Sequence, residues 1–381
     1  CVLHTNPGSD KARGHLGSSL QRKAESVLYV HRNGDCSVVE PQFCRNEPFE
    51  RFAFTISEDG IPELCEVPNS EGLGINDRIV ALLNCLGKIV EKLVAQRLAS
   101  LCEDYHLLHK DQMGGRRQRS AQDAILSLVH DVELGWAKGQ VSSALFLDVK
   151  GAFDNVSRVR LLQTMQQMGL PTQLTNWVDH FMSKREIALA FDGNREALQP
   201  VETGIPQGSP CSPILFIIYL KPLFDELERQ DLGLQFPSYM DDVALVATGK
   251  SQAENVALLQ RAAEITFRWA ENNAVAFDDS KSELLHFTRS HGEQLSLQLP
   301  NGTTVNPAPV LRWLGVWLDS KLLFSTHVAT KLAAAERALA GILRLSNTEK
   351  GLTVGNMRRL YQACIIPISD FGSEIWWRGS R

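Results

Sequence analysis

Two adjacent carboxylates, Asp241 and Asp242, interrupt an apolar stretch that reads FPSYMDDVALVATGK from residue 236. Charged side chains in the middle of such a run are costly to bury unless other groups pair with them. Pro237-Ser238 breaks the run before the acids, and Gly249 ends the run that follows them, a pattern typical of two strands joined by a tight bend. The pattern therefore predicts a hairpin that projects both carboxylates from its bend toward a shared site.

A second acidic pair, Asp278-Asp279, provides a comparison within the same chain. It follows a polar Asn-Asn break and precedes Ser280 and Lys281, a composition that is typical of a solvated turn. An Asp-Asp dipeptide is therefore uninformative by itself. The apolar flanks are what distinguish the pair at residue 241.

The composition is that of a globular protein, since 44% of the 381 residues are apolar and 22% are charged. No uninterrupted apolar run approaches the roughly 18 residues that span a bilayer, so no membrane partner is expected. The formal net charge of −5 argues weakly against a nucleic-acid binder, although Lys110, Arg116, Arg117 and Arg119 form a local basic cluster. The eight cysteines include no Cys-x-x-Cys pair, which favours reduced thiols in an intracellular protein.

The first 75 residues differ in character from the rest of the chain. They are rich in Gly, Pro, Asn and Ser without sustained periodicity, which predicts a divergent N-terminal segment with weak signals for order. Within it, Asn33-Gly34 between two apolar runs favours a hairpin. From residue 84 onward, helical periodicity alternates with strand-like runs such as SALFLDV and ELLHFT. Helices interleaved with strands predict an enzyme-sized body of mixed α and β structure.

A third acid, Asp148, closes a short apolar strand. On a strand, its side chain shares a face with Ala144 and Phe146, and the alternate residues take the other face. A lone acid at a strand end is most often a cap or turn residue. Three acids on two strands that lie side by side, however, repel one another unless divalent cations neutralise them. Oxygen ligands favour Mg²⁺ or Mn²⁺, and two such ions support nucleotidyl transfer by activating a hydroxyl and holding the leaving pyrophosphate.

Between the acid sites lies the stretch GIPQGSPCSPILF, residues 204–216. Its glycines and prolines around Gln207 and Ser209 predict a rigid, exposed loop. The loop leads into SPILFIIYLKPLFDEL, which reads as a helix that is buried on most sides. Exposed backbone N–H groups and the Gln207 amide could therefore contact a nucleotide or a template strand.

Three stretches, ALFLDVKGAFDNV, TGIPQGSPCSPILFIIYL and SYMDDVALVA, occur in an order and at a spacing that resembles the successive polymerase motifs of reverse transcriptases. The resemblance is to the class of non-long-terminal-repeat (LINE-like) retrotransposons, of the fungal type. LLNCLGKIVEKLVAQRL, GGRRQRSAQDAI, DDSKSELLHF, LRWLGVWLD and PISDFGSEIWW are also similar to that class, so the resemblance covers residues 78–378. It implies an α+β right-hand polymerase, with fingers and an antiparallel palm in residues 76–320 and a helical thumb-like region in residues 321–381.

The resemblance implies roles for the acids and for one lysine. Asp148, Asp241 and Asp242 match the metal-binding catalytic carboxylates, and the backbone carbonyl of Val149 matches a further metal contact. Two Mg²⁺ ions, with Mn²⁺ as a substitute, are the implied cofactors. Lys281 matches a catalytic lysine that donates a proton to the leaving pyrophosphate.

Further residues match nucleotide-binding positions, to which Val149 also belongs. Phe153 matches the bulky residue beneath the incoming sugar, where an aromatic ring clashes with a 2′-hydroxyl and so selects dNTPs over rNTPs. Gln207 matches a glutamine near the incoming nucleotide and the template. Arg116 and Arg119 match fingers arginines that hold the triphosphate. The segment 311–318 matches the hairpin that grips the primer end.

The implied function is that of an RNA-directed DNA polymerase. It would extend a primer 3′-hydroxyl with dNTPs on an RNA template, with target DNA as a further partner and a nuclear site of action. Two alternatives stay open: an intron-maturase-type polymerase, and a catalytically inactive retroelement remnant that at most binds RNA. The intact acids, Gln207 and Lys281 argue against a decayed site, whereas the unusual first 75 residues argue for a decayed element. Met240 stands where the class commonly has Ala, which predicts altered fidelity.

Overall fold

The computed structural model describes residues 26–33, 36–44, 52–56, 62–65, 85–187, 190–191, 194–195, 199–201, 203–289, 294–344, 351–377 and 379. The chain divides into two compact units, residues 1–78 and residues 79–381. Within the described part of the chain, no helix combines the length and the apolar character needed to cross a membrane.

The first unit contains an antiparallel sheet of four strands in sequential order. The strands are β1 (Ser26–Asn33), β2 (Cys36–Cys44), β3 (Phe52–Ile56) and β4 (Pro62–Cys65). The register pairs Asn33 with Cys36, so two residues connect β1 to β2. This pairing agrees with the hairpin predicted around Asn33-Gly34, whose connecting residues 34 and 35 lie outside the described residues.

The second unit is formed by ten α-helices in its described residues, with a 3₁₀ turn at Asp279–Lys281 and a π-helical turn at Tyr361–Ile365. The α-helices are α1 (Cys85–Asp104), α2 (Ala121–Ala137), α3 (Arg158–Gln167), α4 (Thr172–Met182), α5 (Ser212–Arg229), α6 (Gln252–Asn272), α7 (Ser325–Leu343), α8 (Val354–Leu360), α9 (Ile366–Ser369) and α10 (Ser373–Trp376). Helix α2 begins with a capping box, in which Ser120 and Asp123 each accept a hydrogen bond from the other's backbone N–H.

Short strands separate these helices. They are β5 (Val141–Lys150), β6 (Arg185–Ile187), β7 (Ala190–Phe191), β8 (Asn194–Arg195), β9 (Gln199–Val201), β10 (Ser238–Tyr239), β11 (Asp242–Gly249), β12 (Ala276–Phe277), β13 (Glu283–Phe287), β14 (Leu297–Gln298), β15 (Thr304–Val305), β16 (Val310–Trp313) and β17 (Val316–Asp319). The mixture of long helices with antiparallel strands confirms the α+β class.

Strand β5 is the centre of the main sheet, whose order is β10-β11-β5-β12, with β13 also paired to β5. All of these pairs are antiparallel. The faces of β5 alternate as predicted: Ala144 and Phe146 belong to one hydrophobic cluster, and Leu145 and Leu147 belong to another. The sheet therefore has a packed core on both sides and buries β5 completely except near its ends.

Helix α5 is the largest contributor to the core, as its apolar sequence predicts. Eleven of its residues, from Ser212 to Leu227, are buried. Burying a side chain such as Phe216 or Phe224 contributes roughly 1.5–3 kcal/mol. The helix predicted to be buried on most sides is thus confirmed, and it anchors the loop that precedes it.

The C-terminal helices have a small core of their own, and their two ends return to the sheet. Ala335, Ile342 and Ile365 form this separate cluster. Phe324, just before α7, and Ile375 in α10 instead belong to the cluster that covers one face of the main sheet. The hairpin β16–β17, predicted from VLRWLGVWLD, belongs to that same cluster.

Candidate active site

The three predicted acids meet at one end of the main sheet. Asp242 on β11 lies directly opposite Asp148 on β5 in the antiparallel register. Tyr239 on β10 pairs with Asp242, so Met240 and Asp241 form the turn between the two strands. The hairpin predicted from FPSYMDDVALVATGK is confirmed, and the sheet brings both acid sites together.

The acids repel one another in a partly buried setting. Burial, with additional repulsion from Asp241 and Asp148, raises the pKa of the Asp242 carboxyl to about 6. Burial also raises the pKa of Asp241, and the charge of Asp148 adds to that rise. The nearby Lys281 ammonium acts in the opposite direction on both groups. The site thus concentrates negative charge that a cation would relieve.

Lys281 supplies one such positive charge. Its Nζ atom lies 2.7 Å from Oδ2 of Asp148 and 3.5 Å from Oδ2 of Asp278. The hydrogen bond and charge of Asp148 raise the pKa of this exposed ammonium. The structure therefore joins Lys281 to the predicted acids, although 133 residues separate it from Asp148 in the chain.

The second acidic pair lies beside the site. Asp278 and Asp279 form a turn with exposed Ser280 and Lys281, as predicted, and this turn also contacts the end of β5. The backbone N–H of Asp278 donates to the carbonyl of Asp148 at 2.9 Å, and the Asp278 side chain is 22% exposed. Composition missed this placement because only the pairing of β12 with the end of β5 reveals it.

The donor set fits a hard divalent cation in its chemistry. The candidate ligands are oxygens, their charges repel, and Asp148, Asp242, Ser280, Lys281 and Glu283 line an open cavity of about 440 Å³. Among the described residues, no group of three or more His, Cys, Asp or Glu side chains is already arranged around a single metal position. The charge and donor types therefore fit a divalent cation, and the Lys281 ammonium contacts one of the oxygens.

Phe153 and Gln207 lie on two segments that contact each other. The backbone N–H of Ile205 donates to the carbonyl of Phe153 at 2.7 Å, and Gln207 Nε2 donates to Asp154 Oδ1 at 3.2 Å. The Phe153 ring packs against Phe216 of α5 with centroids 5.3 Å apart. The loop that carries Gln207 is thus fixed against the turn that follows β5.

A glycine explains the close approach of these segments. Gly204 has φ +79, and a Cβ there would lie 2.7 Å from the carbonyl oxygen of Asp154. Such a contact is too short for any side chain, so only glycine permits it. Val149 is also well placed structurally, since it is buried and pairs with Phe277 on β12. Its predicted carbonyl contact to a metal stays a prediction.

The contacts of Arg116 bear on its predicted role in triphosphate binding, which stays a prediction. Its guanidinium forms a bidentate pair with Glu103 at 2.6 Å and also donates to the carbonyls of His109 and Gln112. The side chain is only 5% exposed, and its contacts brace the loop. Arg119 is exposed, and its Nη1 lies 2.8 Å from Sδ of Met113. Its role in triphosphate binding stays a prediction.

Sequence reasoning missed Gln112. Its side-chain amide hydrogen-bonds to both backbone groups of Met240, which immediately precedes the paired acids. The residue is 2% exposed, although it lies between Lys110 and Arg116 of the local basic cluster. A glutamine before two glycines in DQMGG was the available signal, because glycines permit close approach of the backbone.

Comparison with known families identifies the class of protein. Residues 74–318 match the family described as reverse transcriptase (RNA-dependent DNA polymerase). The chain therefore belongs to the reverse transcriptase family. Its α+β architecture, with acids on an antiparallel sheet flanked by helices, is the right-hand polymerase fold of that family, and the enzyme class is nucleotidyltransferase.

Its relatives are the polymerases of non-long-terminal-repeat, LINE-like elements. The RNA-directed DNA polymerase from mobile element jockey of Drosophila melanogaster is 26% identical over 304 residues, which cover 78% of this chain and 33% of that protein. The probable RNA-directed DNA polymerase from transposon X-element of the same species is 24% identical, with coverage of 78% and 33%. The chain thus spans about a third of the length of these curated relatives.

Solved structures resemble the chain only distantly. The apo telomerase of Candida tropicalis, truncated from its C-terminal domain, aligns with 61% of this chain and 44% of its own, at a TM-score of 0.44 and 10% identity. The RNA-dependent RNA polymerase of a human picobirnavirus aligns with 95% of this chain and 69% of its own, at a TM-score of 0.40 and 12% identity. Likenesses at this level support no assignment of residue roles.

Proposed function

We propose that this chain is the RNA-directed DNA polymerase of a retrotransposon, and that it extends a primer 3′-hydroxyl with dNTPs on an RNA template. The observation that carries the proposal is the register of the main sheet, which sets Asp148 opposite Asp242 with Asp241 in the adjoining turn. The raised pKa values of Asp241 and Asp242 support it, because partly buried carboxylates that also repel one another favour a bound cation.

Asp148, Asp241 and Asp242, with the carbonyl of Val149, would hold two divalent cations, Mg²⁺ or Mn²⁺. Bound there, the cations would lower the pKa of the primer hydroxyl and neutralise charge on the leaving pyrophosphate. Lys281 would keep an ammonium beside Asp148 and give its proton to the departing pyrophosphate oxygen. These groups act chiefly by position and charge, as nucleotidyl transfer requires.

Phe153 and Gln207 would govern the choice of nucleotide. Phe153 is half-buried against Phe216, which gives its ring a fixed place from which to exclude a 2′-hydroxyl. Gln207 is exposed at the tip of its loop and would contact the incoming nucleotide or the template. Arg119 would add a contact to the triphosphate.

The domain assignment and the biological setting extend the same proposal. Residues 76–320 would form the fingers and palm, and residues 321–381 the thumb, with target DNA as a further partner in the nucleus. The fungal origin predicted from the sequence is not supported by the matched relatives, which come from insects. It stays a prediction that the source of the sequence would decide.

Primer extension by the purified chain tests the proposal directly. A DNA primer annealed to RNA is supplied with dNTPs and Mg²⁺, beside an Asp241→Asn, Asp242→Asn double variant. Incorporation that the double variant abolishes is the expected result. Activity that survives both substitutions would contradict the assignment of the acids. A folded wild-type chain without incorporation would favour the inactive remnant, and a preference for self-splicing intron RNA would favour the maturase type.

A further inference from the structure

The backbone immediately before the paired acids adopts a conformation that needs support. Met240 has φ 58, in the left-handed region that side chains other than glycine rarely occupy. A residue held there is strained and persists only where its surroundings fix it. Because Met240 and Asp241 alone connect β10 to β11, this conformation determines where both carboxylates point.

Gln112 provides that support with both ends of its amide. Its Oε1 accepts from the backbone N–H of Met240 at 3.1 Å, and its Nε2 donates to the carbonyl of Met240 at 3.2 Å. The same Oε1 accepts from the N–H of Gly114 at 2.9 Å. The side chain is buried, so water does not compete for these hydrogen bonds.

The segment that carries Gln112 is itself fixed to the hairpin. The N–H of Met113 donates to the carbonyl of Ser238 at 2.8 Å, and the N–H of Ser238 donates to the carbonyl of Asp111 at 3.0 Å. Arg116, paired with Glu103, donates to the carbonyl of Gln112 at 3.2 Å. Each of these contacts restrains the position of the Gln112 backbone.

Gly114 closes the other side of the turn. A Cβ at this residue would lie 2.2 Å from the backbone nitrogen of Met240 and 2.7 Å from its Cγ. No side chain fits there without displacing the turn, so glycine is required by contact rather than by φ. The segment Gln112–Gly114 and the turn Met240–Asp241 therefore form one closely fitted unit.

We propose that Gln112 is a positioning residue that holds Met240 in its left-handed conformation and thereby aims Asp241 and Asp242 at their cations. The inference rests on the proposed function of those acids. The side chain of Gln112 hydrogen-bonds to the backbone of Met240 and Gly114, so it acts through the geometry of the turn. Its loss should weaken cation binding and slow turnover more than it lowers overall stability.

The first test replaces the amide by an apolar side chain of similar length, Gln112→Met. Hydrogen exchange of the segment 239–243, measured by mass spectrometry, should become about tenfold faster because the turn loses two backbone contacts. Mn²⁺ binding, followed by electron paramagnetic resonance, should weaken about threefold to tenfold. The rate constant kcat for primer extension should fall, with the KM for primer–template unchanged.

Gln235→Met is the matched control, because Gln235 lies in the segment just before β10 and its Oε1 is buried without a partner among the described residues. It removes a comparable amide without touching Met240, so exchange at 239–243 and Mn²⁺ affinity should stay as in wild type. A second test, Gly114→Ala, displaces Met240 with Gln112 intact and should reproduce the Mn²⁺ defect. Gly341→Ala is the control for Gly114→Ala, because Gly341 lies in helix α7 with open space around it.

Several outcomes would overturn the inference. Wild-type exchange at 239–243 in Gln112→Met would mean that the amide does not hold the turn. Faster exchange across the whole main sheet, with Mn²⁺ affinity falling only as the protein unfolds, would mean a structural role alone. If wild type neither binds Mn²⁺ nor extends primers, the proposed function fails, and local exchange in Gln112→Met still decides whether the amide fixes the turn.

Discussion

The Lys281 ammonium lies 2.7 Å from Oδ2 of Asp148 and so contacts an oxygen that a divalent cation would also use. The two positive charges therefore compete for one carboxylate. Lys281 is 62% exposed, so its side chain is free to exchange this contact for a phosphate oxygen of the substrate. Under the proposed function, the same residue would neutralise Asp148 without cations and serve the leaving group with them.

Lys281→Gln should separate these two effects. Without the competing ammonium, Mn²⁺ should bind about twofold to fivefold more tightly, because an exposed ion pair contributes little. Turnover should nevertheless fall about 100-fold, since a proton donor is lost. Direct Mn²⁺ titration and single-turnover extension measure the two quantities. Weaker Mn²⁺ binding in the variant would contradict the competition.

Asp242→Asn should stabilise the cation-free protein at high pH. Asp242 has a folded-state pKa of about 6, above the ordinary value of 3.8. Between these two pH values the folded protein binds more protons than the unfolded chain, so its free energy of unfolding falls as the pH rises. At pH 8 the variant should gain about 2 kcal/mol in the free energy of unfolding, and the gain should fade by pH 4. Urea unfolding in EDTA measures it, with the exposed Asp104→Asn as the control.

Arg116→Ala should lower the stability of the protein, whereas Arg119→Ala should raise the KM for dNTP. Removal of Arg116 leaves a partly buried Glu103 unpaired, so the free energy of unfolding should drop by about 2–3 kcal/mol at pH 7. Arg116 lowers the pKa of Glu103, so its contribution is lost as pH falls below the ordinary value of 4.5, and the difference should shrink there. Arg119→Ala should keep wild-type stability and raise the KM for dNTP. A matching rise in KM for Arg116→Ala, without loss of stability, would support the sequence-based role.

Phe153→Val should relax the choice of sugar. A smaller side chain leaves room for a 2′-hydroxyl, so incorporation of rNTP relative to dNTP should rise about tenfold or more. Loss of the contact with Phe216 should also cost about 1–2 kcal/mol of stability. Phe181→Val, which removes a ring stacked on Trp177 of α4, controls for the stability loss alone. Equal discrimination in both variants would count against Phe153 as the selecting residue.

His327→Gln should reduce the acid sensitivity of the protein. Nδ1 of His327 accepts from the N–H of Trp317, and Nε2 lies 3.0 Å from the carbonyl of Phe371, so only the neutral ring fits. Burial lowers the pKa of His327 below the ordinary value of 6.5. The contribution of His327 to the free energy of unfolding is therefore full above pH 6.5 and is lost as the pH falls through the folded-state pKa. The melting temperature should decline less between pH 7 and pH 5 in the variant. An unchanged decline would assign the effect to the other buried histidines, His109 and His286.

The sequence predicted those parts of the site that depend on local pattern. The apolar flanks of Asp241 and the strand ending at Asp148 were enough to predict a shared carboxylate site, because strand alternation is a local property. The contacts of Gln112 and Asp278 were not predictable in that way. Gln112 meets Met240 across 128 residues, and Asp278 reaches Asp148 through the pairing of β12 with β5. Such neighbours are determined by the order of strands in the sheet.

Arg116 illustrates the same limit, because here the sequence motif was recognised but the partner of the side chain was not. A motif identifies the residue type at a position, but the partner of a charged side chain depends on what the fold brings within reach. Glu103 lies near the end of α1, 13 residues before Arg116, and accepts from Nε and Nη2 on one edge of its guanidinium. The motif predicts a triphosphate contact for Arg116, but it does not reveal the internal partner that the fold supplies.

Helix α7 leaves the main sheet beside Phe324, and the chain returns to the same hydrophobic cluster at Phe371, where His327 Nε2 lies 3.0 Å from the Phe371 carbonyl. The start and the end of the segment between these residues therefore lie side by side. A segment with adjacent ends can be lengthened, shortened or exchanged between related proteins without rerouting the chain, because the loop-closure cost changes only slowly with length. The C-terminal helices can in this sense be exchanged as a unit. Related proteins can therefore differ in these helices while the sheet with its acids stays unchanged.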